Sequence, residues 1–343
     1  MIMIHEKKPH IVIESNIPFV RGLLDDVAKV SYLAPEEITA ESMRSADAFI
    51  TRTRTRCDDA LLADSQCQII ASATIGLDHV DVDYCQGRGI VVANAPGCNA
   101  PAVAQYVLAS VIAAYGEDAL EGLTIGIVGV GHVGKIVEQW ARQLGMTVML
   151  CDPPRAEVEG VESFVSLHEI ASKADIITFH TPLTKSDRYA TFHLADKQFF
   201  EDLHRKPMII NAARGPVVDT PALLDAISRG LVGRVAIDCW EGEPKINLQL
   251  LEKVFIATPH IAGYSHQGKV RATKMAVDAV AAKLALTPKA MPEIVPSGAA
   301  TEVDAHSIAL SYNPLIDTED LRSNPNDFES LRNHYNLRNE VGC

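Results

Sequence analysis

At 343 residues, with 47% hydrophobic and 22% charged side chains, the chain is long enough for two or three buried cores and has the composition of an ordinary water-soluble protein. A formal net charge of −13 argues against nucleic acid or an anionic membrane as partner, and no apolar run reaches membrane-spanning length. The opening MIMIHEKKPHIVIES lacks the apolar core of a signal peptide, and the seven scattered cysteines form no CxxC pair, so reduced thiols and a cytoplasmic location are expected.

In chain order, short apolar runs at 11–13, 48–51, 69–73 and 90–92 read as buried strands, separated by helix-like pieces at 19–30, 35–43 and 58–64. Strands alternating with short helices imply a parallel sheet, whose ligands bind beyond the strand carboxyl ends. That places Arg52, Thr53, Arg54, Thr55 and Arg56, and the stretch from Thr74 to Asp78, at a binding mouth. If that run is extended, Arg52, Arg54 and Arg56 alternate onto one side, either as a cation cluster for an anionic ligand or as a solvated face. Pro96-Gly97-Cys98-Asn99 is a turn, and 103–115 is a long apolar helix crossing into the next domain.

The stretch 124–152 is a strand, a glycine turn, a helix and a second strand ending at Asp152, a spacing that fits the dinucleotide-binding fingerprint. Gly129 serves the tight turn, Gly131 the approach of a pyrophosphate, and Gly134 close helix–strand packing. The helix start at His132 and Val133 offers free N–H groups and a positive dipole end to phosphates. Asp152 sits where an acid binds the adenosine ribose and repels a 2′-phosphate, which favours NAD. Further strands follow at 175–179, 208–211, 234–238 and 254–256, six in all, with helices at 166–172 and 221–229. An alanine-rich amphipathic helix spans 269–286, proline marks a boundary over 287–298, and a last helical face runs over 327–338.

Three residues carry candidate chemistry, each just past a strand. Arg214 lies in NAARG, Glu243 in DCWEGEP and His260 in TPHIAGY. Arginine grips a carboxylate bidentately, histidine exchanges a proton near neutral pH, and a carboxylate beside it orients the ring. Together they suit removal of a hydroxyl proton while hydride leaves for nicotinamide. Singly, a loop histidine is more often a surface or packing residue, and Arg–Glu pairs are mostly structural.

The order fingerprint, NAARG, DCWEGEP, PHIAGY resembles the D-isomer-specific 2-hydroxyacid dehydrogenases. APGCNA at 95–100, LCDPPRA at 150–156, FHTPL at 179–183 and HIAGY at 260–264 match a narrower branch over roughly residues 11–285. That branch oxidises 4-phospho-D-erythronate to (R)-3-hydroxy-2-oxo-4-phosphooxybutanoate with NAD+, a step toward pyridoxal 5′-phosphate (vitamin B6). The resemblance implies His260 as proton donor and acceptor, with Arg214 and Glu243 as catalytic companions. It implies NAD contacts at Asp152, Thr181, Asp238 and Gly263, and substrate contacts at Thr53, Thr74 and Tyr264; Thr53 stands where the family carries a serine and keeps the hydroxyl. The fold expected is α/β, two doubly wound parallel-sheet domains: a Rossmann NAD domain over 101–263 and a flavodoxin-like substrate domain over 1–100 and 264–286. A shortened C-terminal dimerisation region is expected over 287–343, making a homodimer with a small phosphorylated hydroxyacid as substrate and no metal. Two alternatives stay open: another D-2-hydroxyacid dehydrogenase, or a non-catalytic NAD-sensing protein.

Overall fold

The computed structural model describes residues 8–186, 188–291 and 302–342. Their contacts divide them into two compact units, one of 8–99 with 266–291, the other of 100–265 with 302–342.

The first unit is built on β1 (His10–Glu14), β2 (Lys29–Leu33), α1 (Ala40–Met43), β3 (Ala48–Thr51), α2 (Asp59–Leu62), β4 (Ile69–Ser72), α3 (Val82–Gly87) and β5 (Val91–Ala93). The five strands are parallel in the order β2-β1-β3-β4-β5, the flavodoxin-like arrangement. β3 (AFIT) and β4 (IIAS) bury every side chain, as parallel strands covered on both faces do.

Two expectations for this unit fail. Residues 19–30 form no helix: Phe19 (φ +62°) and Gly22 (φ +82°) turn the backbone into the left-handed region, and the chain then enters β2. The Gly22 N–H donates to the Tyr32 hydroxyl, which itself donates to Asp25, so this segment is tied to the strand. Nor is the arginine run extended. The chain bends through Thr53–Thr55 because the Thr51 hydroxyl and the Arg52 N–H both donate to the fully buried Glu14 carboxylate (2.7 and 3.1 Å), which ends β3 there.

The second unit begins with α4 (Ala100–Tyr115), buried over most of its length. It continues through β6 (Thr124–Val128), α5 (His132–Gln143), β7 (Thr147–Cys151), α6 (Pro153–Glu159), α7 (Leu167–Lys173), β8 (Ile176–Phe179), α8 (Lys197–Glu201), β9 (Met208–Asn211), α9 (Thr220–Ser228), β10 (Val235–Ile237), α10 (Leu248–Lys253) and β11 (Ile256–Ala257). Its six strands are all parallel in the order β7-β6-β8-β9-β10-β11, so the winding reverses between β6 and β8. The architecture is α/β with two doubly wound parallel sheets.

Helix α11 (His266–Leu284) returns to the first unit. There Ala276, Val277 and Val280 pack on Ile11, Ile13, Ile50, Ile69 and Ala71, the small alanines letting helix and sheet approach closely.

The chain then rejoins the second unit as α12 (Ala305–Ser311), α13 (Pro314–Ser323) and α14 (Phe328–Asn333). Ile308 and Tyr312 join the core on one face of the six-stranded sheet, and Leu321 and Phe328 the core on the other. The Thr318 hydroxyl accepts from the Ala257 N–H at 3.0 Å, satisfying a donor on edge strand β11. The helix expected over 327–338 stops at Asn333. Beyond it the chain extends, because Arg338 pairs with Ser265 as a parallel bridge and sends its side chain inward.

Candidate active site

One register line fixes the site. Val128 pairs with both Cys151 and Phe179, Asn211 with both Phe179 and Ile237, and Ile237 with Ala257, so five strands end level with β6. The residues that follow, Gly129, Asp152, His180, Ala212, Asp238 and Thr258, therefore share the carboxyl edge, where open parallel sheets bind ligands.

At the β6 end, Gly129 has φ +88°, and a Cβ there would lie 2.8 Å from the His180 carbonyl carbon and oxygen. A Cβ on Gly134 would meet the Gly129 oxygen at 2.2 Å, so the α5 start can sit this close only as glycine. Gly131 caps α5 with no side-chain hydrogen bond and open space around its α-carbon, and His132 beside it is exposed while Val133 is half-buried. Asp152 accepts from the Val130 N–H (2.8 Å) and the Arg155 N–H (3.1 Å), tying the glycine turn to the end of β7. Arg155 pairs bidentately with Glu159 (2.7 and 2.6 Å) and donates to the Val130 carbonyl, so that guanidinium is engaged. At the end of β8, the Thr181 hydroxyl and the His180 Nδ1 are buried without a hydrogen-bond partner, and burial pushes the His180 imidazole down to about 3. A glycine cradle, a free helix start, an acid at the second strand end and an orphaned hydroxyl fit a bound dinucleotide.

Further along the edge, Asn211 positions Arg214. Its Nδ2 donates to the Arg214 carbonyl (3.0 Å), and its Oδ1 accepts from the Ala213 N–H (3.2 Å). Gly215 lies against the backbone of the next loop: a Cβ would sit 2.0 Å from the Trp240 oxygen. Asp238, 1% exposed, gathers the Thr258 hydroxyl (2.7 Å) and the N–H groups of Ile261 (2.7 Å) and Ala262 (3.0 Å) on one carboxylate oxygen. Burial raises its pKa; the charge of His260 and those three donors oppose the rise. Asp238 thus clamps the turn that presents His260, whose backbone is left-handed at φ +56°.

His260 Nδ1 lies 2.6 Å from Glu243 Oε1. A carboxylate can only accept, so Nδ1 carries the proton and Nε2 is left to exchange one with a ligand. Burial alone would raise the Glu243 carboxyl, but the hydrogen bond and charge of His260, the Trp240 N–H and Arg332 outweigh it and hold it below the ordinary value. Arg214 and Arg332 are the cations whose charge reaches the buried Cys239 thiol, and burial holds that thiol protonated, with its pKa well above the ordinary value.

The C-terminal segment closes the turn after His260. Arg338 donates to the carbonyls of Ala102 (3.0 Å), Ile261 (3.1 Å) and Ala262, and the Ser265 hydroxyl donates to Glu340 (2.6 Å). Gly263 lies within the turn, which the Tyr264 N–H closes onto Ile261 (2.8 Å); the Tyr264 ring meets Tyr335 edge-on. Arg332, Arg338 and Glu340 were invisible as site residues because no fixed spacing links them to the strand-end motifs. Asn211 was visible only as the first letter of NAARG.

Thr53 and Thr74 belong to the first unit. Thr53 is exposed on the bend after β3; the Thr74 hydroxyl lies 2.8 Å from that of Ser72 and donates to the Gly76 carbonyl. Among the described residues, no cluster of three or more His, Cys, Asp or Glu could hold a metal, and no helix is long and apolar enough to cross a membrane.

Residues 102–262 match the family model "D-isomer specific 2-hydroxyacid dehydrogenase, NAD binding domain". The chain is 46% identical to erythronate-4-phosphate dehydrogenase of Bacteroides thetaiotaomicron, covering 96% of this chain and 97% of that one. It is 38% identical to the Escherichia coli protein of the same name, covering 96% and 92%. D-lactate dehydrogenase of Aquifex aeolicus, solved with NAD and lactic acid, superposes with a TM-score of 0.68 at 25% identity, covering 80% of this chain and 95% of that one. The chain belongs to the D-isomer specific 2-hydroxyacid dehydrogenases, in the branch of the erythronate-4-phosphate dehydrogenases.

Proposed function

We propose that the chain oxidises 4-phospho-D-erythronate at C2, giving (R)-3-hydroxy-2-oxo-4-phosphooxybutanoate, NADH and a proton, as a step of vitamin B6 biosynthesis. The observation that carries the reading is the 2.6 Å His260–Glu243 pair, set on the sheet's carboxyl edge in a chain 46% identical to a protein named for this activity. Bound NAD+ supplies the hydride acceptor. His260 Nε2 takes the C2 hydroxyl proton, and Glu243 holds the ring through Nδ1 and favours the imidazolium that forms. Arg214, projected from the loop that Asn211 braces, holds the substrate carboxylate. Gly129, Gly131, His132, Val133, Gly134, Asp152, Thr181, Asp238 and Gly263 are assigned to the cofactor, and Thr53, Thr74 and Tyr264 to the substrate. With Asp152 at the ribose position and Arg155 committed to Glu159, the site favours NAD over NADP.

The test is NADH formation by purified protein over a panel of 2-hydroxyacids, phosphorylated and not. 4-Phosphoerythronate should give the highest kcat/KM. A preference for 3-phosphoglycerate or a simple hydroxyacid, or no turnover at all, refutes the assignment.

We also infer a cytoplasmic homodimer. The described cysteines Cys57, Cys67, Cys85, Cys98, Cys151 and Cys239 are free thiols, as a reducing compartment keeps them. Leu310 and Ile316, 75% and 61% exposed, give the C-terminal segment an apolar surface suited to a second copy. Light scattering of the wild type and of Leu310→Asp/Ile316→Asp decides this: a monomeric wild type ends the idea.

A further inference from the structure

A substrate with a carboxylate at one end and a phosphate at the other needs cations at both, and a chain of net charge −13 must supply them locally. Arg214 serves the carboxylate. We propose that Arg332, on α14 of the C-terminal segment, holds the substrate phosphate together with the Tyr264 hydroxyl. This rests on the phosphorylated-substrate reading above.

Arg332 is fixed from behind. Phe328 at the start of α14 is 1% exposed and joins the core that contains Trp240 and Ile246, on either side of Glu243; Leu331 packs against the same core. The guanidinium is therefore held beside the loop that carries Glu243, within range of its charge, and it hydrogen-bonds the Tyr264 side chain. It is nonetheless weakly committed. Its Nε is buried with no hydrogen-bond partner, and its ion pair to Glu329 is long (3.7 Å) with Glu329 48% exposed, a pairing worth little in water. Glu243 is bonded to His260 and the Trp240 N–H and reaches Arg332 through its charge. A planar, always-charged group that is 21% exposed, with donors to spare and a tyrosine hydroxyl beside it, has the chemistry of a phosphate-binding pair.

The test compares the wild type, Arg332→Gln and Arg332→Lys on 4-phosphoerythronate and on unphosphorylated erythronate, with inorganic phosphate as an independent probe. Loss of a charge-assisted contact should lower kcat/KM for 4-phosphoerythronate about tenfold to a hundredfold in Arg332→Gln, chiefly through KM. The loss on erythronate should be clearly smaller than on 4-phosphoerythronate, and Arg332→Lys should recover part of the phosphate preference. An equal loss on both substrates would mean that Arg332 serves Glu243 instead and overturns the proposal. So would collapse of the phosphate preference in Arg52→Gln or Arg54→Gln with Arg332→Gln unaffected. The thermal midpoint with NADH present supplies a readout independent of turnover: inorganic phosphate should raise it in the wild type and not in Arg332→Gln. If the wild type shows no preference for the phosphorylated substrate, the substrate reading fails by itself. The midpoint then decides Arg332, since an equal rise in both proteins refutes it and a rise lost in the variant upholds it as the anion-holding residue.

Discussion

Arg338→Met removes a buried guanidinium and keeps a side chain of comparable length. In the wild type this group donates to the carbonyls of Ala102 (3.0 Å), Ile261 (3.1 Å) and Ala262, contacts the Tyr335 hydroxyl at 3.3 Å and lies 4.3 Å above the Tyr312 ring. A hydrogen bond from a charged donor contributes about 1.5–3 kcal/mol net, and a desolvated cation–π contact about 2. These terms are not additive, and water can reach some of the orphaned carbonyls. The expected loss is therefore that of several orphaned buried acceptors, about 3–5 kcal/mol. At about 2–4 °C of thermal midpoint per kcal/mol for a unit of this size, the midpoint should fall by roughly 6–20 °C. Because Ile261 and Ala262 directly follow His260, kcat should fall as well. Calorimetry, urea unfolding and NADH formation read these effects, and Arg338→Lys, which can reach fewer of the carbonyls, should be intermediate. A midpoint within about 2 °C of the wild type together with unchanged kcat would refute the idea that the C-terminal segment anchors the catalytic turn.

His260→Ala should leave NAD binding nearly intact and cut turnover by about two to four orders of magnitude, the scale of a lost general acid–base group; near-normal turnover in a stopped assay removes His260 from the mechanism. Glu243→Gln tests the depressed carboxyl. A group with a lowered folded pKa stabilises the native state above its unfolded value near 4.3 and loses that contribution as pH falls through the folded value. The variant should therefore be less stable than the wild type at neutral pH, with the gap closing below about pH 4.3, as followed by urea unfolding across pH. Gly134→Ala forces a Cβ to within 2.2 Å of the Gly129 oxygen and must push α5 away from the turn, so NAD affinity measured by fluorescence titration should drop at least about tenfold; an unchanged affinity would show that the cofactor does not use this helix start.

Much of this architecture is legible in the sequence because its signals are local. Short β-branched runs such as Ile69-Ile70-Ala71, bounded by turn signals, read as strands buried on both faces, and the glycine spacing of 129–134 is demanded by a close helix–strand approach that the 2.2 Å clash makes physical. Motifs just past strand ends fell on one edge because the register of a parallel sheet aligns those ends. What escaped depends on partners far along the chain. β2, KVSYL, sits at the sheet edge with no fully buried side chain, so neither periodicity nor hydrophobicity distinguishes it from the helix-like letters before it; its pairing with β1 decides. The bend after Thr51 depends on a glutamate on β1, and Asp152, read only as a ribose ligand, also ties the turn at Val130 to the next helix. Arg332 and Arg338 looked like the ordinary charges of a tail, since nothing in their neighbourhood states which carbonyls they will meet.

The Arg338 side chain reaches back 77 positions to Ile261 and 236 to Ala102. Synthesis runs from the amino end, and units of a growing chain fold as they emerge. While Arg338 is still inside the ribosome, the six-stranded sheet can already be paired and its glycine turn already competent for the nucleotide, yet the turn bearing His260 is held by Asp238 without its C-terminal anchor. Nascent chains stalled short of residue 338 should thus retain cofactor and turn over more slowly, so that full activity arrives only when the anchoring side chains Arg338 and Glu340 clear the exit tunnel.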